Sequence, residues 1–211
     1  MFDAIDSAYH SAPDLDAAGR PYERLGLRPS PAHAGRRTLH VGGPGNLFSI
    51  HFVAEVAESP LAEPLRQALT AARSLFAVAP GVPDFDATLG LLERKGLRAT
   101  RSRDGGDDLA WLPLHGRAGT DLVLVRHARP VQERHAAAVQ AGLLAHAFPL
   151  KRLDHLAAVA HGLGEKTRFW ADVLGVPVIG EVTMPAMVIR QLRVGDAVLE
   201  LLGPASPDSP L

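Results

Sequence analysis

The chain has 211 residues, 46% of them hydrophobic, and a formal net charge of -1 from 22 Lys and Arg against 23 Asp and Glu. That is apolar material for one or two globular domains, and acids and bases mix along it without the basic stripe that a phosphate backbone requires, which excludes nucleic acid as a partner. Apolar runs such as Leu122 to Val125 fall far short of the ~20 residues that span a bilayer, cysteine is absent, and the opening Met1-Phe2-Asp3-Ala4 lacks an export signal, so a cytoplasmic protein without membrane contact is expected.

Along the chain, three similar blocks recur, each a short apolar strand, a Pro/Gly/Asp turn into an amphipathic helix ending near a glycine, and further strands. The first opens with Ile5 to His10, turns and caps its helix at Pro13-Asp14-Leu15-Asp16, stops it near Gly26, continues into two or three strands and closes on Leu47 to Val53. Leu61 to Ala72, rich in Ala, Leu and Arg, predicts a connecting helix. The second block runs from the strand Leu75 to Ala79 through Pro83-Asp84-Phe85-Asp86 and a helix to Lys95, stops at Gly96, and ends with Leu122 to Val125. Pro130 to Pro149 follows as a partly helical connector. In the third block, Leu153 to Ala160 reads as a strand, Gly164 to Leu174 as a helix with Phe169, Val173 and Leu174 on one face, and Gly175 as its stop. Val176 to Val182, Met187 to Val194 and Ala197 to Leu202 read as three strands, the last two joined by the tight Gly195-Asp196 turn. The glycine clusters at 42–45 and 105–106 lie outside any strand-to-helix turn and read as hairpin turns.

The third block, "RLDHLAAVAHGLGEKTRFWADVLGVPVIGEV" with a meander ending "GDAVLELLGP", resembles a module of the vicinal-oxygen-chelate (glyoxalase, bleomycin-resistance and dioxygenase-like) superfamily. The resemblance implies an α+β fold of repeated βαβββ modules, forming cupped mixed sheets with helices on the outer face. It implies paired modules in residues 1–130, a connector at 131–149, and a third module at 150–211 with no mate in the chain. It also places His155 and Glu200 where the family carries metal ligands, for a divalent ion such as Zn, Ni, Co, Mn or Fe, with Glu200 as the catalytic proton carrier. Strand alternation independently puts His155 with Ala157 and Val159, and Glu200 with Val198 and Leu202, so both are expected to point into apolar surroundings. A carboxylate there needs a partner: a cation, His155 itself, or an arginine such as Arg190 or Arg193.

In the first block the matching positions hold Ser7 and His51, in the second Ser74 and an apolar residue near Val123, a poor donor set for a divalent metal. His51 is either a hydrogen-bonded core histidine or a substrate-binding group of a metal-free pocket, and Arg190 either a surface ion pair or an anchor for an anionic substrate. Modules pair and three is odd. Either two chains join their third blocks into a homodimer with a shared site, or a fourth module has been lost beyond "GPASPDSPL". The functional expectations are a glyoxalase-like isomerase or lyase acting on a small carbonyl compound, a metal-free small-molecule binding or sequestration protein, or a relative of the ring-cleaving dioxygenases.

Overall fold

A computed structural model describes residues 1–54, 62–71 and 74–209. The first block folds as β1 (Ala4–Ser11), α1 (Leu15–Arg24), β2 (Arg36–Gly43) and β3 (Asn46–Val53), so it has two strands after its helix. Next come α2 (Ala62–Thr70), β4 (Leu75–Gly81), α3 (Phe85–Arg94), β5 (Thr100–Asp104), β6 (Asp107–Leu112), the short α4 (His115–Ala118) and β7 (Asp121–Arg126). The connector forms α5 (Val131–Gln140), and the third block folds as β8 (His155–Val159), α6 (Leu163–Arg168), β9 (Val178–Thr183), β10 (Met187–Val194) and β11 (Ala197–Pro204). The outer ends of the helix expected over Leu61 to Ala72 lie outside the described residues. Among the described residues, no helix is long and apolar enough to cross a membrane.

Local chemistry sets these boundaries. The Asp14 carboxylate accepts from the backbone N–H of Asp16 and Ala17 at 2.9 Å each, and Asp84 accepts from Ala87 N–H at 2.9 Å, so the same Pro-Asp signal starts α1 and α3. Gly43 faces Asn46 and Asp104 faces Asp107, which makes the two glycine clusters hairpin turns as expected.

Two sheets result. The first has the order β2-β3-β1-β4-β7-β6-β5 and the second β8-β11-β10-β9. In each block the first strand runs parallel to the last: β1 to β3, β4 to β7, β8 to β11. The first two blocks join where β1 pairs antiparallel with β4, whereas β8 has no strand on its outer edge among the described residues. The helical faces of the two sheets share one core, in which Ile5, Val78, Leu89 and Leu122 meet Trp170, Leu174, Leu199 and Leu201.

The joint has a specific anatomy. α6 runs on into a π-helical turn, Phe169–Val173, and this widened turn points two consecutive aromatics inward: Phe169 is 6% and Trp170 1% exposed. The Trp170 indole donates to the Ala118 carbonyl at 2.9 Å and sits edge-on to Phe2. At the other end, the β10–β11 turn lies on the backbone of the first strand. A Cβ at Gly195 would fall 1.8 Å from the Asp3 carbonyl oxygen. The opposite, cupped face of the first sheet is covered in part by α2, whose Leu65 and Ala68 pack on Tyr9, Phe76 and Val123. The free edge of β2 is occupied too. Ser30 bonds both Thr38 backbone groups, and His146 Nε2 reaches the His40 carbonyl at 2.8 Å.

Candidate functional site

The cup of the first sheet collects polar side chains because strand alternation puts them there. Ser7 lies opposite Ser49 and Tyr9 opposite His51 in the parallel β1–β3 pair; Thr38 lies opposite His51 and His40 opposite Ser49 in the antiparallel β2–β3 pair. Their sequence neighbours Ala8, Leu39 and Phe48 face the other way, into apolar cores. The two imidazoles are held alike. His51 Nδ1 meets Thr38 Oγ1 at 3.0 Å and His40 Nδ1 meets Ser49 Oγ at 2.9 Å, while Nε2 of each ring has no hydrogen-bond partner among the described residues. The Tyr9 ring lies 4.8 Å from the His51 ring, centroid to centroid.

Burial pushes the His51 imidazole down to about 3, with Arg36 adding to it. Burial followed by the charge of Arg134 pushes His40 down to about 4. Both rings are therefore neutral near pH 7. Burial raises the Tyr9 phenol to about 12, which keeps it protonated.

Beside them lies an ionic cluster. His127 is gripped at both ring nitrogens, Nδ1 by Asp107 at 2.8 Å and Nε2 by Asp6 at 2.9 Å, and Arg134 of α5 reaches the same Asp6 oxygen at 3.3 Å. The cavity enclosed by these groups measures about 310 Å³. Asp6, Val125, His127 and Arg134 also line a second cavity of about 500 Å³ near the β10–β11 turn, so the cluster forms the wall between the two.

His51 thus sits in the cup. The module register, however, moves one expected position. Glu200 faces Ala157, two residues after His155, and His51 faces Tyr9, two after Ser7. In the second module Ala77 faces Asp121, so Val123 falls level with Ala79 and the histidine-equivalent position is Ala77. Ser74 precedes β4 and bonds His10 Nδ1 at 3.1 Å instead. Ser7, His51, Ala77 and Val123 give one imidazole and one hydroxyl, a set that does not fit a divalent metal.

His155 and Glu200 occupy one face of the second sheet, two residues apart in register. That face is open, contrary to the apolar enclosure expected for it: the His155 side chain is 53% exposed and Val159 and Val182 are exposed beside it. His155 Nδ1 lies 3.2 Å from Asp154, and the partner of Glu200 is Gln191, which donates from Nε2 at 2.9 Å. Among the described residues, no group of three or more His, Asp or Glu is placed to hold a metal ion. Arg190 is not brought to this site. It alternates with Gln191 onto the opposite face, where it pairs with Glu181 at 2.5 Å.

Sequence reasoning missed Asp6, Thr38, His40, His127 and Arg134. The usable signal is Thr38-Leu39-His40 facing Ser49-Ile50-His51, two polar-apolar-polar triplets that place two hydroxyls and two imidazoles on one face of the sheet.

No family model matches the chain, and no curated protein does. Solved structures do. A hypothetical protein from Staphylococcus aureus superposes with a TM-score of 0.65 at 9% identity, over 96% of this chain and 86% of that one. A xylose isomerase-like TIM barrel/4-hydroxyphenylpyruvate dioxygenase fusion protein gives 0.64 at 19% identity, over 95% of this chain and 32% of that one. A triple mutant of 4-hydroxymandelate synthase from Streptomyces coelicolor gives 0.57 at 15%, over 97% of this chain and 64% of that one. At such identities the likeness establishes architecture. The fold is that of the vicinal-oxygen-chelate proteins, with cupped mixed sheets and helices on their outer faces. This chain carries it as two modules in one sheet and a third in another, and it spans only 64% and 32% of the two enzymes it resembles.

Proposed function

We propose that this protein binds a small organic molecule in the cup of its first sheet, without a metal. The observation that carries the reading is the His40/His51 pair: a core histidine uses both ring nitrogens, whereas these are each clamped at Nδ1 and leave Nε2 to the cavity. Cavity size agrees, since about 310 Å³ is at the lower end of small-molecule pockets, roughly 300–1,000 Å³. The test is a thermal-shift screen of metabolites, followed by calorimetry on the wild type and on His40→Leu and His51→Leu variants whose fold is checked by circular dichroism. A specific ligand is expected to stabilise the wild type by about 2.7 kcal/mol at a hundredfold excess over Kd. Each variant is expected to weaken it about tenfold or more. Binding that ignores both substitutions refutes the assignment.

A second reading has its own observation. In the β1–β4 pair Ser7 faces Ala79, Ala8 faces Val78 and Tyr9 faces Ala77. Applied to the open edge of β8, the same register sets Leu156 against Leu156 of a second copy. That gathers two copies of His155 and Glu200 on one face. Two imidazoles and two carboxylates suit an octahedral divalent ion, which would act as a Lewis acid on a carbonyl oxygen in a glyoxalase-like isomerase or lyase. There Glu200 would carry the proton, once released from Gln191. Light scattering with elemental analysis decides it: a dimer with about one metal per two chains, lost in His155→Ala and Glu200→Ala, is the expected result. A metal-free monomer removes this reading and leaves the first intact.

A further inference from the structure

The cup is not electrostatically neutral in its effect on what it holds. Each carboxylate lining it is already engaged: Asp6 with His127 and Arg134, Asp107 with His127 and the Ala128 N–H, and Asp104 with Arg36 at 2.9 Å. Arg129, exposed on the rim of the same cavity, has no ion-pair partner among the described residues. With His127 doubly protonated between the carboxylates of Asp6 and Asp107, the lining carries four cations, that imidazolium and Arg36, Arg129 and Arg134, against three carboxylates. Lying among the cup's hydrogen-bonding groups are Leu109 and Val125, which offer apolar wall to a carbon skeleton.

We propose, building on the pocket reading above, that the ligand of the cup is a small organic carboxylate, its charged end held by Arg129 and its oxygens accepting hydrogen bonds from Nε2 of His40 and His51. In the tautomer that serves this ligand, the hydroxyls of Thr38 and Ser49 donate to Nδ1 of the two rings, which puts the proton on each Nε2. Neutral imidazoles then act as donors that need no titration. Arg129 supplies the charge from the rim, where its own desolvation is small. A neutral analogue loses the guanidinium contact and gains nothing in its place.

Calorimetric titration with phenylacetate, benzoate and adipate, each beside its methyl ester, tests this on the intact chain. The acid is expected to bind about tenfold more tightly than its ester, a difference of about 1.4 kcal/mol. Arg129→Gln should erase that preference, and Arg168→Gln, which removes an exposed cation from α6, should preserve it. The proposal is overturned if acid and ester bind alike, if the preference survives Arg129→Gln, or if no carboxylate binds. Should an ester bind and lose its affinity in His51→Leu while no acid is preferred, the pocket stands and only the anion falls; if neither class binds, both readings fall together.

Discussion

Asp6→Ala is expected to cost the fold about 3 kcal/mol, the scale of removing one partner from a buried ionic cluster. Asp6, His127 and Arg134 have side-chain exposures of only 14%, 21% and 18%, so two cations are left facing each other with little solvent. For a chain of this size the thermal midpoint should fall by roughly 6–12 °C. The pH dependence carries a sharper signature. Burial alone would raise the Asp6 carboxyl, but the His127 hydrogen bond and the charges of His127, Arg134 and His51 outweigh it and hold it below its ordinary 3.8. Burial alone would lower His127, but the hydrogen bond and charge of Asp6 outweigh it and raise it above 6.5. The His127 contribution is therefore complete below pH 6.5 and lost as pH rises through the raised folded value. The Asp6 contribution is complete above 3.8 and lost as pH falls through the depressed one. Urea melts between pH 4 and 9 should show the wild type losing stability on the alkaline side and the variant losing less of it. Parallel pH profiles would show that the cluster is not what couples β1 to α5.

Trp170→Ala is expected to cost about 3–5 kcal/mol. The side chain is fully buried between the two sheets, and its loss also strands the Ala118 carbonyl that it now satisfies. The chain has two tryptophans, so the variant keeps Trp111 of β6 as a fluorescent reporter of the first sheet alone. If the sheets stabilise each other through Trp170, the Trp111 transition moves to lower urea together with the circular dichroism signal. A Trp111 midpoint equal to that of the wild type would show that the first sheet stands without the joint.

Most of the fold is legible in the sequence because its signals are local. Asp14 and Asp84 cap their helices as short-range rules require, and the Gly195-Asp196 turn fixes the β10–β11 register from sequence alone. The site is less legible because it depends on register between strands far apart in the chain. Counting along one strand matches Ser74 to the histidine position, whereas the β4–β7 pairing puts Ala77 there. Proximity in sequence assigns Arg190 to the third-block site, yet one step of alternation turns it to the far face. His127 gives no spacing clue at all: its partners, Asp6 and Asp107, lie on two other strands.

The parallel pairing of first and last strands within each block bears on the order in which the molecule assembles. β1 closes on β3, β4 on β7 and β8 on β11, so nearly all strand contacts join residues made within one block of synthesis. The β1–β4 seam, the Asp6–His127–Arg134 cluster, the His146–His40 contact and the Trp170 joint wait for more distant chain. The entropic cost of closing these loops grows only slowly with their length. A nascent chain can therefore complete its cup, with the His40/His51 pair already clamped, before the third block has been made.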